Sequence, residues 1–322
     1  MDMSAHRQRW GLLLKAGISA ALLVLLYRRV DLPALRTQLG ALSWPPLALF
    51  FALLFGNSLL SALKWRGFLA ADGPAPPRRA LLGAYLIGSF LSVFLPSTIG
   101  GDAYRLYDLT RRGIPGGRAA ASIFADRFTG FLALAALGAV LPPLGLRRAL
   151  PLPALAAPLA AGAALWLLAW TLYRPQILRR LLAWTRLDRS ARLNRFADRF
   201  LASVAVYRDR PGLLLRSLAL SLLFQFGVIG AVYCVARALR LPASFLFFCG
   251  AVPLVSLLEA LPLSIYGLGL RDGAYWFFLA RIGRPAAEAA ALSLLYVAAT
   301  LVYVSLGGVL FALRRTPEPT PS

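Results

Sequence analysis

Six apolar runs, 11–27, 45–63, 119–141, 152–173, 213–236 and 287–313, divide the sequence into stretches that reach or approach a bilayer's width. A helix needs roughly 17–25 predominantly apolar residues to cross the hydrocarbon core. The backbone polar groups of such a segment must be satisfied internally, which restricts these runs to helices. Hydrophobic residues make up 59% of the 322 positions and the mean hydropathy is +0.68, a surface that no water-soluble core could hide. The expected fold is an all-α integral membrane protein.

The net charge of +22 would point to nucleic acid in a soluble protein. Here the arginines occupy connections and helix ends between the apolar runs, a topological pattern that predicts no nucleic-acid partner. The connection 174–212 alone carries ten arginines, and Arg314 and Arg315 follow the last run; both segments are expected on the cytoplasmic side of the inner membrane. Arg7 and Arg9 precede the first run, and Arg28 and Arg29 follow it where a cleavable leader would have small residues, so 11–27 is expected to remain as a first span. The amino and carboxyl termini are both expected in the cytoplasm.

Counting crossings from these anchors leaves two apolar stretches that must enter and leave on the same side. Segments 64–79 and 105–118 are both expected to be cytoplasmic, so 81–101 becomes a re-entrant unit, and 244–281 becomes a second one entering from the opposite face. The organisation is thus one polytopic membrane domain, 1–315, with about six transmembrane helices and two re-entrant broken segments arranged as an inverted repeat, followed by a disordered tail at 316–322, which holds three prolines. Arg28, Arg29 and Arg36 fall on the outside and run against the positive-inside bias. Within the Arg-rich loop, Leu193, Phe196, Ala197, Phe200, Leu201 and Val204 recur at helical spacing. This is either an interfacial amphipathic helix or a short helix packed on its neighbours.

The two broken segments resemble one another. Leu95-Pro96-Ser97-Thr98-Ile99-Gly100-Gly101-Asp102 is answered by Leu261-Pro262-Leu263-Ser264-Ile265, then Gly267, Gly269, Arg271 and Asp272. Proline and glycine inside an apolar run free backbone groups that lipid cannot satisfy. Each break also begins a new helix whose N–H groups can hold an anion. Charges kept within a bilayer are costly and line pathways or pair, which singles out Asp102, Arg105, Asp126, Arg127, Glu259, Arg271 and Asp272. The planar guanidinium fork suits phosphate, making Arg105, Arg127 and Arg271 the candidate lipid-phosphate contacts. Other roles stay open: Asp102 as the cap of a helix beginning at Ala103, and Arg127 as a partner of Asp126 or a snorkelling side chain. Glu259 has no basic neighbour in sequence and is the candidate for proton coupling.

One histidine, His6, and two cysteines, Cys234 and Cys249, form no metal or redox set. No catalytic constellation can be assembled, and no cofactor or metal is expected. The glycines at 267–273 miss the dinucleotide-loop spacing and lack its βαβ setting.

On Leu95–Pro96 through Gly100-Gly101-Asp102-Ala103-Tyr104-Arg105, on Asp126-Arg127-Phe128, and on Pro262 through Gly273, the sequence resembles a flippase-like membrane family to which the transmembrane region of lysylphosphatidylglycerol synthases belongs. The resemblance covers roughly 16–313. It implies movement of an anionic phospholipid between leaflets, with membrane lipids as partners. The synthases' soluble aminoacyltransferase domain has no counterpart here, so a stand-alone, non-enzymatic transporter is expected. Two further functions compete: an accessory protein docking an enzyme of envelope-lipid synthesis through 174–212, and a lipid-linked glycosyl or phospho transferase using Asp102 or Glu259 as base.

Overall fold

The computed structural model describes residues 31–94, 99–146, 191–260 and 269–313, with a few isolated positions outside these ranges. In chain order the described helices are α1 (Leu32–Gly40), α2 (Trp44–Ala71), α3 (Arg78–Phe94), α4 (Ile99–Arg111), α5 (Gly116–Val140), α6 (Pro142–Gly145), α7 (Ala191–Arg208), α8 (Pro211–Ala238), α9 (Phe245–Ala260), α10 (Leu270–Arg281) and α11 (Ala286–Leu313). No strand occurs among the described residues.

Helix length sorts these elements. Four apolar stretches, Trp44–Ala71, Gly116–Gly145, Pro211–Ala238 and Ala286–Leu313, have 28 to 30 residues, and at about 1.5 Å per residue each exceeds the about 30 Å hydrocarbon core. By contrast α3, α4, α9 and α10 have 17, 13, 16 and 12 residues and rise only about 18–26 Å. The protein is therefore a multi-pass helical membrane protein in which long spans alternate with pairs of short helices. Proline starts two of the long helices, Pro45 in α2 and Pro211 in α8, where its missing N–H is harmless.

The order long, short, short, long occurs twice: α2–α5 and α8–α11. Helices α2 and α8 form the central pair and run antiparallel. Gly67 meets Leu213, Asn57 Nδ2 donates to the Phe224 carbonyl at 3.2 Å, and Ser43 N donates to the Ala238 carbonyl at 2.9 Å. The other contacts repeat across this pair, with α3 on α11 answered by α9 on α5. The first half is thus packed upside down against the second.

Each short pair is a hairpin. In the first, Gly88 of α3 faces Gly101 of α4, so closely that a Cβ on Gly101 would overlap the Gly88 carbonyl oxygen. Ser92 Oγ accepts from Gly101 N at 3.1 Å. The second is joined by Arg271 of α10 and Glu259 of α9, 3.2 Å apart. The open end of the first hairpin lies where α2 ends and α5 begins, the end covered by α7. There Ser203 donates to Asp72 at 2.6 Å, and Arg118 donates to the carbonyls of Leu69 and Pro74 at 2.7 and 2.8 Å. The second hairpin opens at the other end, where α9 starts against Gly145 of α6.

One expectation from sequence changes. The run 45–63 does not stop before Lys64: α2 continues to Ala71 and Lys64 is buried, because an internal counter-ion allows the helix to carry a cation. The first broken unit, expected at 81–101, falls on α3 and α4, and Arg105 of α4 is buried. Helix α7 packs Phe200 and Val204 around Phe68 and Tyr207, as a helix packed on its neighbours would, while Phe196 is 40% exposed. Apart from a few isolated positions, runs 11–27 and 152–173 lie outside the described residues, as do the loop 174–190 and the tail 316–322.

Candidate functional site

Five charged side chains from three helices converge between the central pair and the first hairpin. Lys64 comes from α2, Asp102 and Arg105 from α4, and Asp126 and Arg127 from α5. Lys64 Nζ lies 3.1 Å from Asp126 Oδ1, and donates to the Asp126 carbonyl at 2.8 Å and to Ser221 Oγ of α8 at 2.9 Å. Arg105 bridges both acids, with Nη2 2.9 Å from Asp126 Oδ2 and Nη1 3.2 Å from Asp102 Oδ1. Arg127 grips Asp102 with two donors, Nε at 2.9 Å and Nη2 at 3.1 Å.

The chain of contacts alternates in sign, Lys64, Asp126, Arg105, Asp102, Arg127. Three cations and two acids leave a net +1. Burial grades along it. The Lys64, Asp126 and Arg105 side chains are less than a tenth exposed, Asp102 is 22% exposed and Arg127 40%. The Arg105 guanidinium also lies over the Trp65 ring, 4.1 Å from its centroid, with Tyr85 at 5.2 Å, a cation–π sandwich worth more where water is excluded.

Two cavities border this cluster. The larger, about 260 Å³, is lined by polar and apolar groups of six helices, among them Asn57, Ser58, Tyr85, Ser92, Asp102, Arg105, Arg127, Phe224 and Tyr303. The smaller, about 110 Å³, touches Lys64, Tyr85, Asp126, Arg127 and Gln225. Arg127 lines both, and its Nη1 edge is not used by Asp102.

A second constellation sits at the other hairpin. Buried Arg271 reaches Glu259 and, through Nε, Ser293 Oγ at 3.2 Å, and lies 5.6 Å from the Tyr296 ring. Asp272 Oδ2 accepts from Gly269 N at 2.8 Å, and Gly269 has φ +83°, a left-handed turn that glycine adopts without strain.

The candidate residues from sequence thus divide. Arg105, Arg127 and Asp102 come together at the first hairpin with Gly100 and Gly101 in the first turn of α4. Arg271, Asp272, Glu259 and Gly269 come together at the second. Pro96, Pro262 and Gly267 lie outside the described residues. Asp102 is not a simple cap for a helix starting at Ala103: α4 begins at Ile99, and its carboxylate is held by two arginines. One N–H at each broken-helix start is satisfied internally, by Ser92 and by Asp272. Glu259, isolated in sequence, has Arg271 as its partner in space.

Lys64, Trp65, Ser221 and Tyr85 were not singled out by sequence. For Lys64 the signal was present as a lone lysine following an apolar run, in a chain whose cations are otherwise arginine apart from Lys15. Among the described residues no three His, Cys, Asp or Glu side chains converge as a metal site.

No curated protein and no solved structure is matched by the sequence. A family match does cover residues 12–308, nearly the whole chain and both constellations. The protein belongs to the lysylphosphatidylglycerol synthase TM region family.

Proposed function

We propose that the protein is a lipid flippase that moves an anionic phospholipid between the leaflets of the inner membrane. The observation that carries this reading is a buried, net-positive cluster bordering a cavity between spanning helices. Charge of this kind is retained in a bilayer where it lines a pathway, and Arg127 offers an unoccupied donor edge of the type that recognises phosphate. The inverted halves support it: two hairpins too short to cross, opening at opposite ends, form the pattern of transporters that alternate access around a site near the midplane.

In this reading the hairpins are re-entrant, 11–27 and 152–173 complete six spans, and α7 with both termini faces the cytoplasm. The transported headgroup engages Arg127 and Arg105 while its acyl chains stay among the apolar helix faces. Arg271 provides the corresponding contact at the other hairpin, and Glu259, held by it, is the site where proton coupling would act. The protein's own part is transport, with no covalent step assigned to it.

The test is leaflet exchange of fluorescent phosphatidylglycerol in proteoliposomes, followed by quencher accessibility. The wild type should accelerate exchange, and Arg127→Gln at matched insertion should slow it roughly tenfold, the loss of one charge-assisted contact. Absence of exchange with the wild type, or unchanged exchange with Arg127→Gln, would overturn the reading in favour of an accessory role for the α7 surface.

A further inference from the structure

The two acids of the cluster are held differently. Asp126 is sealed, its side chain 6% exposed, between Lys64 and Arg105. Asp102 stands on the wall of the larger cavity and is gripped by the fork of Arg127 with a further contact from Arg105. Two parallel N–H donors on two oxygens of one anion is the geometry by which arginine holds a carboxylate or a phosphate alike.

We infer that Asp102 is an internal stand-in for the cargo's anionic group: a phosphate-ester anion entering the cavity displaces the Asp102 carboxylate from Arg127 and Arg105, one charge for one. The inference rests on the proposed transport of an anionic lipid and deepens it by naming the residue that the headgroup replaces. A cavity of about 260 Å³ lies just under the roughly 300–1,000 Å³ of pockets that enclose whole drug-sized molecules. It therefore takes a headgroup and leaves the chains outside.

The exchange has a mechanical consequence. Asp102 follows Gly100 and Gly101 in the first turn of α4, and its bond to Arg127 ties that arm to α5. Once displaced, the arm keeps the Gly88–Gly101 contact, the Ser92 hydrogen bond to α3 and the Arg105–Asp126 pair to α5 but loses the Asp102 tether to α5 in its first turn. Arg127, being 40% exposed, can donate to either anion or to water, so the tether can be released without stranding a buried cation.

The measurement is binding to the purified full chain in neutral maltoside detergent, with dihexanoylphosphatidylglycerol, inorganic phosphate and uncharged dihexanoylglycerol as probes. Asp102→Asn should bind dihexanoylphosphatidylglycerol roughly tenfold more tightly than the wild type, the competitor for one charge-assisted site having been removed. Arg127→Gln added to Asp102→Asn should erase the gain. A gain with inorganic phosphate as well assigns recognition to the phosphate itself; a gain with the lipid alone assigns it to the esterified headgroup. Unchanged or weaker binding by Asp102→Asn, or an equal gain with the uncharged probe, overturns the inference.

If Asp102→Asn does not fold, the wild type decides. Amide deuterium exchange across 99–105 should rise when saturating dihexanoylphosphatidylglycerol is added, and unchanged or slower exchange overturns the displacement. Leaflet exchange without tighter Asp102→Asn binding removes the stand-in role and leaves the transporter reading. Tighter binding without leaflet exchange does the reverse.

Discussion

Asp126→Asn keeps the shape of the side chain and removes its charge, which strands Lys64 and leaves Arg105 with Asp102 alone. Asp126 Oδ1 is 3.1 Å from Lys64 and Oδ2 is 2.9 Å from Arg105, and the exposures of the three side chains are 6%, 9% and 3%. None is screened by solvent, so the surface-pair discount does not apply. Removing one partner of a buried pair costs about 3–5 kcal/mol because the other charge is left uncompensated. The amide oxygen still accepts from Arg105, which places the expectation at the lower end, about 3 kcal/mol. The assay is SDS-induced unfolding of the purified protein in mixed micelles, read by loss of tryptophan signal. Adding Lys64→Met returns the cluster from +2 to the wild-type +1, and this second substitution should recover roughly 1.5 kcal/mol or more as coupling energy. Stability of Asp126→Asn within about 1 kcal/mol of wild type, or a double variant no more stable than the single one, would refute the counter-ion argument.

Two further outcomes follow, one from close packing and one from α7. A Cβ at Gly307 would overlap the Leu86 carbonyl oxygen and press on Phe90, so Gly307→Ala should destabilise by about 1–3 kcal/mol; Gly56→Ala, with nothing within 4 Å, should stay within about 0.5 kcal/mol in the same unfolding assay. Burial, then the neighbouring Asp72 carboxylate, pushes the Tyr207 phenol of α7 above its ordinary value. Its folded state holds the proton more tightly than the unfolded chain, so the stabilisation is intact below about pH 10 and is lost as pH climbs from there towards the folded value. The melting temperature of wild type should fall more steeply above pH 10 than that of Tyr207→Phe, and parallel slopes would contradict the assignment.

Four of the six apolar runs coincide with helices long and apolar enough to cross a membrane, legible because a bilayer allows few alternatives to a helix of fixed minimum length. The order long, short, short, long, repeated in α2–α5 and α8–α11, has its counterpart in the sequence in two similar Pro-Gly stretches set between the apolar runs. What escaped was non-local. Lys64 reads locally as the end of a span, and its counter-ion lies 62 residues away at Asp126. The return arm α4 reads as a polar connection because its charges are neutralised by α5, a pairing that no window along the chain contains. Glu259 looked isolated for the same reason, its partner Arg271 being brought back by the second hairpin. Nor could the glycine breaks reveal that Ser92 and Asp272 already occupy N–H groups at the new helix starts.

All five charges of the first constellation fall between positions 64 and 127, within the first of the two halves, whereas Phe224, Thr300, Tyr303 and Val304, which complete the larger cavity, belong to the second. During synthesis the amino-terminal part emerges first. Lys64, Arg105 and the two acids can therefore neutralise one another while the ribosome is still making α8 to α11, so that no lone charge need wait in lipid for a distant segment. The order of residues along the gene thus serves as an insertion schedule: ionic groups are settled early, and the later helices arrive only to enclose the chamber beside them.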